Sequence, residues 1–318
     1  MSDATVGSPP VVPPLPARSG APLIRRRRGR GRRSVGDLLA AVGFLTPALV
    51  LVAVLLLAPF AWTVWDSLTT DNGTTGHFTG LSNYAALFRD TAFNRSLLNT
   101  FLWLVGTLVL PVMLGLAIAV MTSSMRGGRY ARMALVLPYT ISGSATAVVW
   151  GFILRSDGAL NGALGGLGLS RSEHEWLLSW PMNTVVLILT STWQATGVNV
   201  ILFLVGVQTI PRDTLEAGEI DGATGYRLFR HITLPQLRAS TVVVVGIALA
   251  NALKAFDIIW ILTQGGPARS SETLALTMYR ETFLLDQYSY GSAVAVFLTV
   301  IVMVASFAYL RRQMPQGS

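Results

Sequence analysis

The strongest constraint on this chain is a set of six apolar runs, at about residues 38–62, 97–122, 132–154, 182–207, 239–262 and 290–310. Each is near or above the roughly 20 residues a helix needs to cross the hydrocarbon of a bilayer. Inside that hydrocarbon the chain must satisfy every backbone N–H and C=O itself, so runs of this length span as helices. The sequence therefore predicts an all-α, polytopic membrane protein with six transmembrane helices, its membrane domain covering residues 35–312. Charged residues make up only 13% of the chain, about half the roughly 25% of soluble domains. Pro47, Pro59, Pro111 and Pro138 lie in or beside the runs. Kinks there are tolerated where neighbouring helices re-satisfy the freed carbonyls.

The basic residues orient the spans. With the N-terminus inside, the inside segments hold 17 Lys and Arg: eight before the first run, then Arg126, Arg129, Arg132, Arg212, Arg227, Arg230, Arg238, Arg311 and Arg312. The outside segments hold 6, namely Arg89, Arg95, Arg155, Arg171, Arg269 and Arg280, and Lys254 lies within the fifth run. By the positive-inside rule this places both termini and the polar loop 209–238 in the cytoplasm. Residues 1–34 are rich in Pro and Arg, cannot bury apolar surface, and read as a disordered cytoplasmic tail. Their Arg run, set just before an apolar helix, fits contact with anionic membrane lipid, and no nucleic acid is expected. Arg32-Arg33 has the form of a twin-arginine signal, but the next apolar run is too long for a cleaved one.

Between the fourth and fifth runs lies a polar stretch, Glu216 to Pro235. Asp213 and Glu216 have capping-box spacing. Gly222 and Gly225 break helices. Tyr226, Phe229 and Ile232 recur every third residue and predict an apolar stripe on a second short helix. On this pattern alone the stretch also reads as a solvated loop with an amphipathic turn. The same residues resemble the cytoplasmic coupling loop, or EAA motif, of ATP-binding-cassette (ABC) importer permeases: Glu-Ala-Ala, three residues, Gly, nine residues, then Ile-x-Leu-Pro. Glu216, Ala217, Gly222, Ile232, Leu234 and Pro235 stand at those places, and Asp221-Gly222-Ala223 supplies the Asp-Gly-Ala core. Gly218 departs from the preferred Ala. Gly costs a helix about 1 kcal/mol relative to Ala, which predicts a shorter or softer first coupling helix. Phe256-Asp257, Leu262 to Pro267, Glu272-Thr273-Leu274, Tyr279-Arg280, Tyr290 to Ala293, Leu160-Asn161 and Trp193 extend the resemblance to the carbohydrate-uptake, MalF-like members of that family, over about residues 38–310.

The resemblance implies half of a membrane path for a sugar or sugar-like solute, in a bacterial inner membrane, built with a second permease subunit. It implies two ATPase subunits on the cytoplasmic side, reached through Glu216, Ala217, Gly218, Asp221, Gly222, Ala223, Phe229, Leu234 and Pro235. An extracytoplasmic substrate-binding protein would dock on the other side. No cofactor is expected on this chain; ATP and Mg would sit on the partner ATPase. The residues agree on that point, because the only Lys is Lys254, preceded by Ala252-Leu253, and no Gly-x-x-x-x-Gly-Lys-Ser/Thr loop can form around it. His77, His174 and His231 lack metal-ligand spacing, no nucleophile elbow is present, and the chain has no Cys. The sequence reads as a transport subunit, not an enzyme, with no metal site.

Polar residues within apolar runs are costly and mark candidate paths. Asn251, Lys254 and Asp257 are spaced by three and would cover about 120° of one helix. Lys254 and Asp257 fit a self-neutralising structural ion pair; Asn251 and Lys254 fit the lining of a hydrophilic path. Trp193, Gln194 and Asn199 in the fourth run fit the path too, or hydrogen bonds that join helices. Trp176 and Trp180 fit an interfacial aromatic belt or a partner contact. An ion-coupled secondary transporter would carry internal repeats and midplane carboxylates. The coupling-loop match argues against that class, and against a scaffold with no transport role.

Overall fold

The computed structural model describes residues 35–70, 76–123, 125, 127–169, 174–252 and 255–313. The tail 1–34 and Lys254, and with Lys254 its expected ion pair, lie outside the described residues. The chain divides after Leu56 into two compact units. The first holds helix α1, Val35–Val52, which contains Pro47 and runs on into a π turn at Ala53–Leu57.

Among its described residues, the second unit has helices and one short antiparallel pair, β1 Thr69–Thr70 with β2 His77–Phe78. Its helices are α2 Ala58–Asp66, α3 Ser82–Arg89, α4 Thr91–Ser123, α5 Gly128–Val136, α6 Gly143–Ile153, α7 Ala159–Gly166 and α8 Met182–Gln208. They continue as α9 Arg212–Ile220, α10 Tyr226–Leu228, α11 Leu234–Gln236, α12 Arg238–Ala252, α13 Asp257–Leu262, α14 Leu274–Phe283 and α15 Tyr288–Gln313.

Among the described residues, four helical stretches are long and apolar enough to cross a membrane: Val42–Asp66, Thr91–Ser123, Met182–Gln208 and Tyr288–Tyr309. Two bent pairs raise this to as many as six if each is one span: Gly128–Thr140 with Gly143–Ile153, at 103°, and Tyr226–Gln236 with Arg238–Ala252, at 72°. The third apolar run is therefore not one straight helix. Pro138 opens a 3₁₀ turn at Leu137–Thr140, and Ser142 then starts α6 by accepting the Ala145 N–H at 3.2 Å. The fifth run also differs from the expected continuous helix. α12 is described as far as Ala252. Ala255 and Phe256 are not helical, and α13 begins afresh at Asp257 after Phe256, whose φ is −137°. Three-residue spacing therefore does not set the faces of Asn251 and Asp257.

Helices α4 and α8 pack along much of their length. Lipid tails are as apolar as leucine, so close fit rather than exclusion of water holds such a bundle. One buried cluster joins Val112 and Leu116 of α4, Phe203 of α8, and Val244 of α12; Leu215, Phe229 and Leu234 pack against it. A second joins Trp103, Ala147, Leu187, Ile188, Ile258 and Leu276. A third joins Leu87, Phe93, Leu274 and Val294.

Candidate functional site

The polar stretch folds as two short helical segments closed on each other. Pro211, extended at φ −60° and ψ 135°, precedes α9 and gives no side-chain cap. Asp213 thus lies inside the first turn, where the helix dipole favours a carboxylate. The expected capping box does not form, and Glu216 sits mid-helix rather than near its start. The helix ends in a Schellman motif. Gly222 N–H donates to Glu219 O at 3.0 Å and Ala223 N–H to Gly218 O at 2.9 Å. Gly222 has φ +81°, a conformation that costs other residues, and Asp221 is the C-cap.

Gly218 is buried, and a Cβ there would collide with the Ile232 side chain and come within 3.2 Å of Leu228 Cδ1. The departure from the family's Ala is thus a close-approach point between α9 and the segment after it. Phe229 and Leu234 face the first core cluster. Ala223 is half-buried, and Ala217 and Pro235 are exposed. Tyr226, expected on the inward stripe, is 74% exposed and turns outward; Leu228 fills the inward place. The result is a tip of exposed Glu216, Glu219, Asp221, Ile220 and Tyr226, acidic and apolar together, on a base packed into α4, α8 and α12.

A cavity of about 310 Å³ lies among α4, the 3₁₀ turn, α8, α12 and α13. Gln194, Asn199 and Asn251 line it, as does Asp257. Trp193 does not; it packs edge-on against Trp150 with ring centroids 5.9 Å apart. Gln194 Nε2 donates to Ile141 O at 2.6 Å, so it both joins helices and lines the cavity. Sequence reasoning missed Trp103, Thr107, Tyr139, Ser191 and Phe256 in the lining. The one available signal was Trp103 and Thr107, an indole and a hydroxyl one helical turn apart in the second run.

A second polar cluster gathers residues that the family resemblance had marked without a role. Glu272, fully buried, accepts from Arg269 Nε at 2.9 Å, from Thr277 Oγ1 at 3.1 Å and from Arg280 Nε. Asn99 Nδ2 ties the same loop to α4, donating to Ser270 O at 2.7 Å and Glu272 O at 2.8 Å. Trp180 Nε1 donates to Asn99 Oδ1 at 3.1 Å, and Trp176 Nε1 to Asn161 Oδ1 at 3.0 Å. The two tryptophans are therefore built into the fold through their N–H groups.

Arg269 Nη2 lies 2.9 Å from Glu281 Oε1 but off the hydrogen-bonding direction. Burial outweighs the pull of Arg269 and pushes the Glu281 carboxyl above its ordinary value, with Glu272 and Asp90 adding to the rise. A carboxyl raised by folding stabilises the fold at pH below the ordinary carboxylate value, and that contribution is lost as pH rises through the raised one. Glu281→Gln should thus leave melting at neutral pH unchanged or higher, and should flatten its decline as pH climbs out of the carboxylate range. Glu272→Gln removes the buried carboxylate charge that two arginines share and should cost about 3–5 kcal/mol. Thermal denaturation of both variants in detergent checks the contrast; equal losses would overturn it.

The chain matches the family model for the binding-protein-dependent transport system inner membrane component over residues 111–314. It is 34% identical to a probable ABC transporter permease protein of Pyrococcus horikoshii, covering 86% of this chain and 95% of the relative. It is 32% identical to the sulfoquinovosyl glycerol transport system permease protein of Agrobacterium fabrum, covering 87% and 91%. Its fold is similar to a chain in the crystal structure of a bacterial alginate ABC transporter in complex with an alginate pentasaccharide-bound periplasmic protein. That similarity has a TM-score of 0.75 at 21% identity, over 87% of this chain and 96% of that one. A multi-pass helical membrane chain with this sequence likeness belongs to the ABC transporter permeases, the family of inner-membrane components of binding-protein-dependent transport systems.

Proposed function

We propose that this chain forms half of the path of an ATP-driven importer for a sugar or sugar-like solute. The observation that carries the reading is the pairing of cavity and tip on shared helices. α8 brings Gln194 and Asn199 to the cavity and Phe203 to the core beneath the α9 tip; α12 brings Asn251 and Val244 to the same two places. A push on the tip therefore reaches the cavity along rigid elements. The cavity sets the amides of Asn199 and Asn251 and the Asp257 carboxylate beside the rings of Tyr139 and Phe256. Amides and a carboxylate pair with hydroxyls, and ring faces cover the C–H face of a sugar. A relative named for sulfoquinovosyl glycerol transport supports the class.

The partners follow from the same reading. A second permease subunit completes the path, two ATPase subunits hold ATP and Mg and receive the tip, and a substrate-binding protein delivers solute from outside. Both termini and the 209–238 loop face the cytoplasm of a bacterial cell, as the basic residues indicate. Uptake into proteoliposomes carrying the whole complex should need ATP and the binding protein and survive a proton ionophore. Asn251→Leu should cut the maximal rate at least several-fold with assembly intact. Uptake that ignores ATP and collapses with the ionophore would establish ion coupling instead.

A further inference from the structure

Trp103 is only 2% exposed, yet it lines the cavity, and its indole Nε1–H has no acceptor among the described residues. Three other buried polar atoms share that state. Arg269 Nη2 is ion-paired with Glu281, while Thr146 Oγ1 and Trp150 Nε1 sit on α6 and do not line the cavity. Of these four atoms, only the Trp103 donor belongs to a residue that lines the cavity.

We infer that the Trp103 indole N–H is a specificity-determining donor to a hydroxyl oxygen of the transported solute. A buried donor without an acceptor is unfavourable, and lipid offers none in its place. The indole N–H only donates, so its partner is an oxygen acceptor. Asp257 already brings a carboxylate to the same cavity and disfavours an anionic group there, which leaves a neutral hydroxyl. The ring is held in place beforehand. Leu187 and Ile188 pack in its cluster, and Thr107 Oγ1 donates to the Trp103 carbonyl at 2.6 Å. A fixed donor of this kind discriminates by staying unpaired when the solute lacks the matching hydroxyl.

This inference rests on the sugar-path reading, and the test separates the two. The assay is the melting temperature of the purified whole complex, without binding protein, with and without millimolar maltose, lactose or methyl α-glucoside. Leaving out the binding protein matters, because in uptake it would dominate the apparent affinity. Two variants are compared with the native chain: Trp103→Phe, and an isostere with 3-benzothienylalanine at position 103, which keeps the bicyclic shape and lacks the N–H. The native complex should be stabilised by at least one sugar, and both variants should lose that shift, corresponding to about tenfold weaker binding for a bond of 1.4 kcal/mol. The solute-free isostere should melt at or above the native temperature, since an unpaired donor has been deleted. A full sugar shift in the isostere would overturn the inference. So would a lower solute-free melting temperature, because the N–H would then have an acceptor within the protein. If no sugar shifts the native complex, the path reading fails for hexosides, and the solute-free comparison still decides whether the N–H is unpaired.

Discussion

Replacing Gly222 by valine should release the ATPase from the complex and stop solute uptake, with the transmembrane helices still folded. Gly222 holds φ +81° at the end of α9. For a β-branched residue that region is an outlier, and the left-handed conformation costs roughly 1–2 kcal/mol. The two bonds of the Schellman motif, from Gly222 and Ala223 back to Glu219 and Gly218, would be lost with it. The last turn of α9, which presents Glu219, Ile220 and Asp221, would fray. A Cβ at Gly222 meets nothing within 4 Å in this chain, so the fold itself is not crowded and the damage is confined to the tip. Gly222→Asn separates strain from bulk. Asparagine tolerates the left-handed conformation, so it keeps the cap while adding a side chain at the proposed docking face. Glu216→Ala should do far less, since an exposed ion pair contributes little. Copurification of the ATPase and solute-stimulated ATP hydrolysis measure all three. If the valine variant keeps both, the α9 tip is not the coupling element.

The long apolar runs were legible because crossing hydrocarbon imposes a length and a composition that no soluble element shares. What interrupts them was less so. Pro138 announced a weak point in the third run, but the 103° turn is fixed by contacts from elsewhere, such as Gln194 reaching the Ile141 carbonyl. The break between α12 and α13 is described at Ala255 and Phe256, neither of which is a breaker residue, so local propensity pointed to a continuous helix. Within the tip, the glycines were visible but their roles were not. Gly222 closes the helix by its backbone, while Gly218 lets α9 approach Ile232. Position in the motif could not tell a conformational need from a steric one. The cavity lining was half legible. Amides in a span stand out, whereas a tryptophan there is commonplace, and Trp103 and Trp193 differ only in where packing points them.

Gly115→Val should prevent α4 and α8 from packing and leave no stable complex to purify. A Cβ at Gly115 would lie 2.5 Å from Asn199 Cβ, 3.0 Å from the Asn199 carbonyl carbon and 3.2 Å from Val200 N. Backbone atoms cannot turn aside, so relief requires moving α8 itself. Gly106, about two and a half turns earlier, offers the comparison. A Cβ there meets Ile188 Cγ2 at 2.6 Å and Cδ1 at 3.2 Å, which are side-chain atoms that a rotamer change can carry away. Overpacking costs about 1–3 kcal/mol, and Ala returns about 1 kcal/mol of helix propensity over Gly. For Gly106→Ala the two nearly offset, and melting should stay within about 2 °C, since about 1 kcal/mol shifts a chain of about 150–250 residues by about 2–4 °C and a longer one by less. For Gly115→Ala the clash wins and melting should fall clearly. For Gly115→Val the added methyls press on the same backbone, and assembly should fail. Any displacement of α8 at that point also moves Asn199 in the cavity wall, so Gly115→Ala should lose uptake beyond what its remaining folded fraction explains. Size-exclusion profiles and melting curves in detergent rank the three variants. A monodisperse Gly115→Val complex melting like the native one would mean that the crossing has room to spare, and that α8 is not held in register by Gly115.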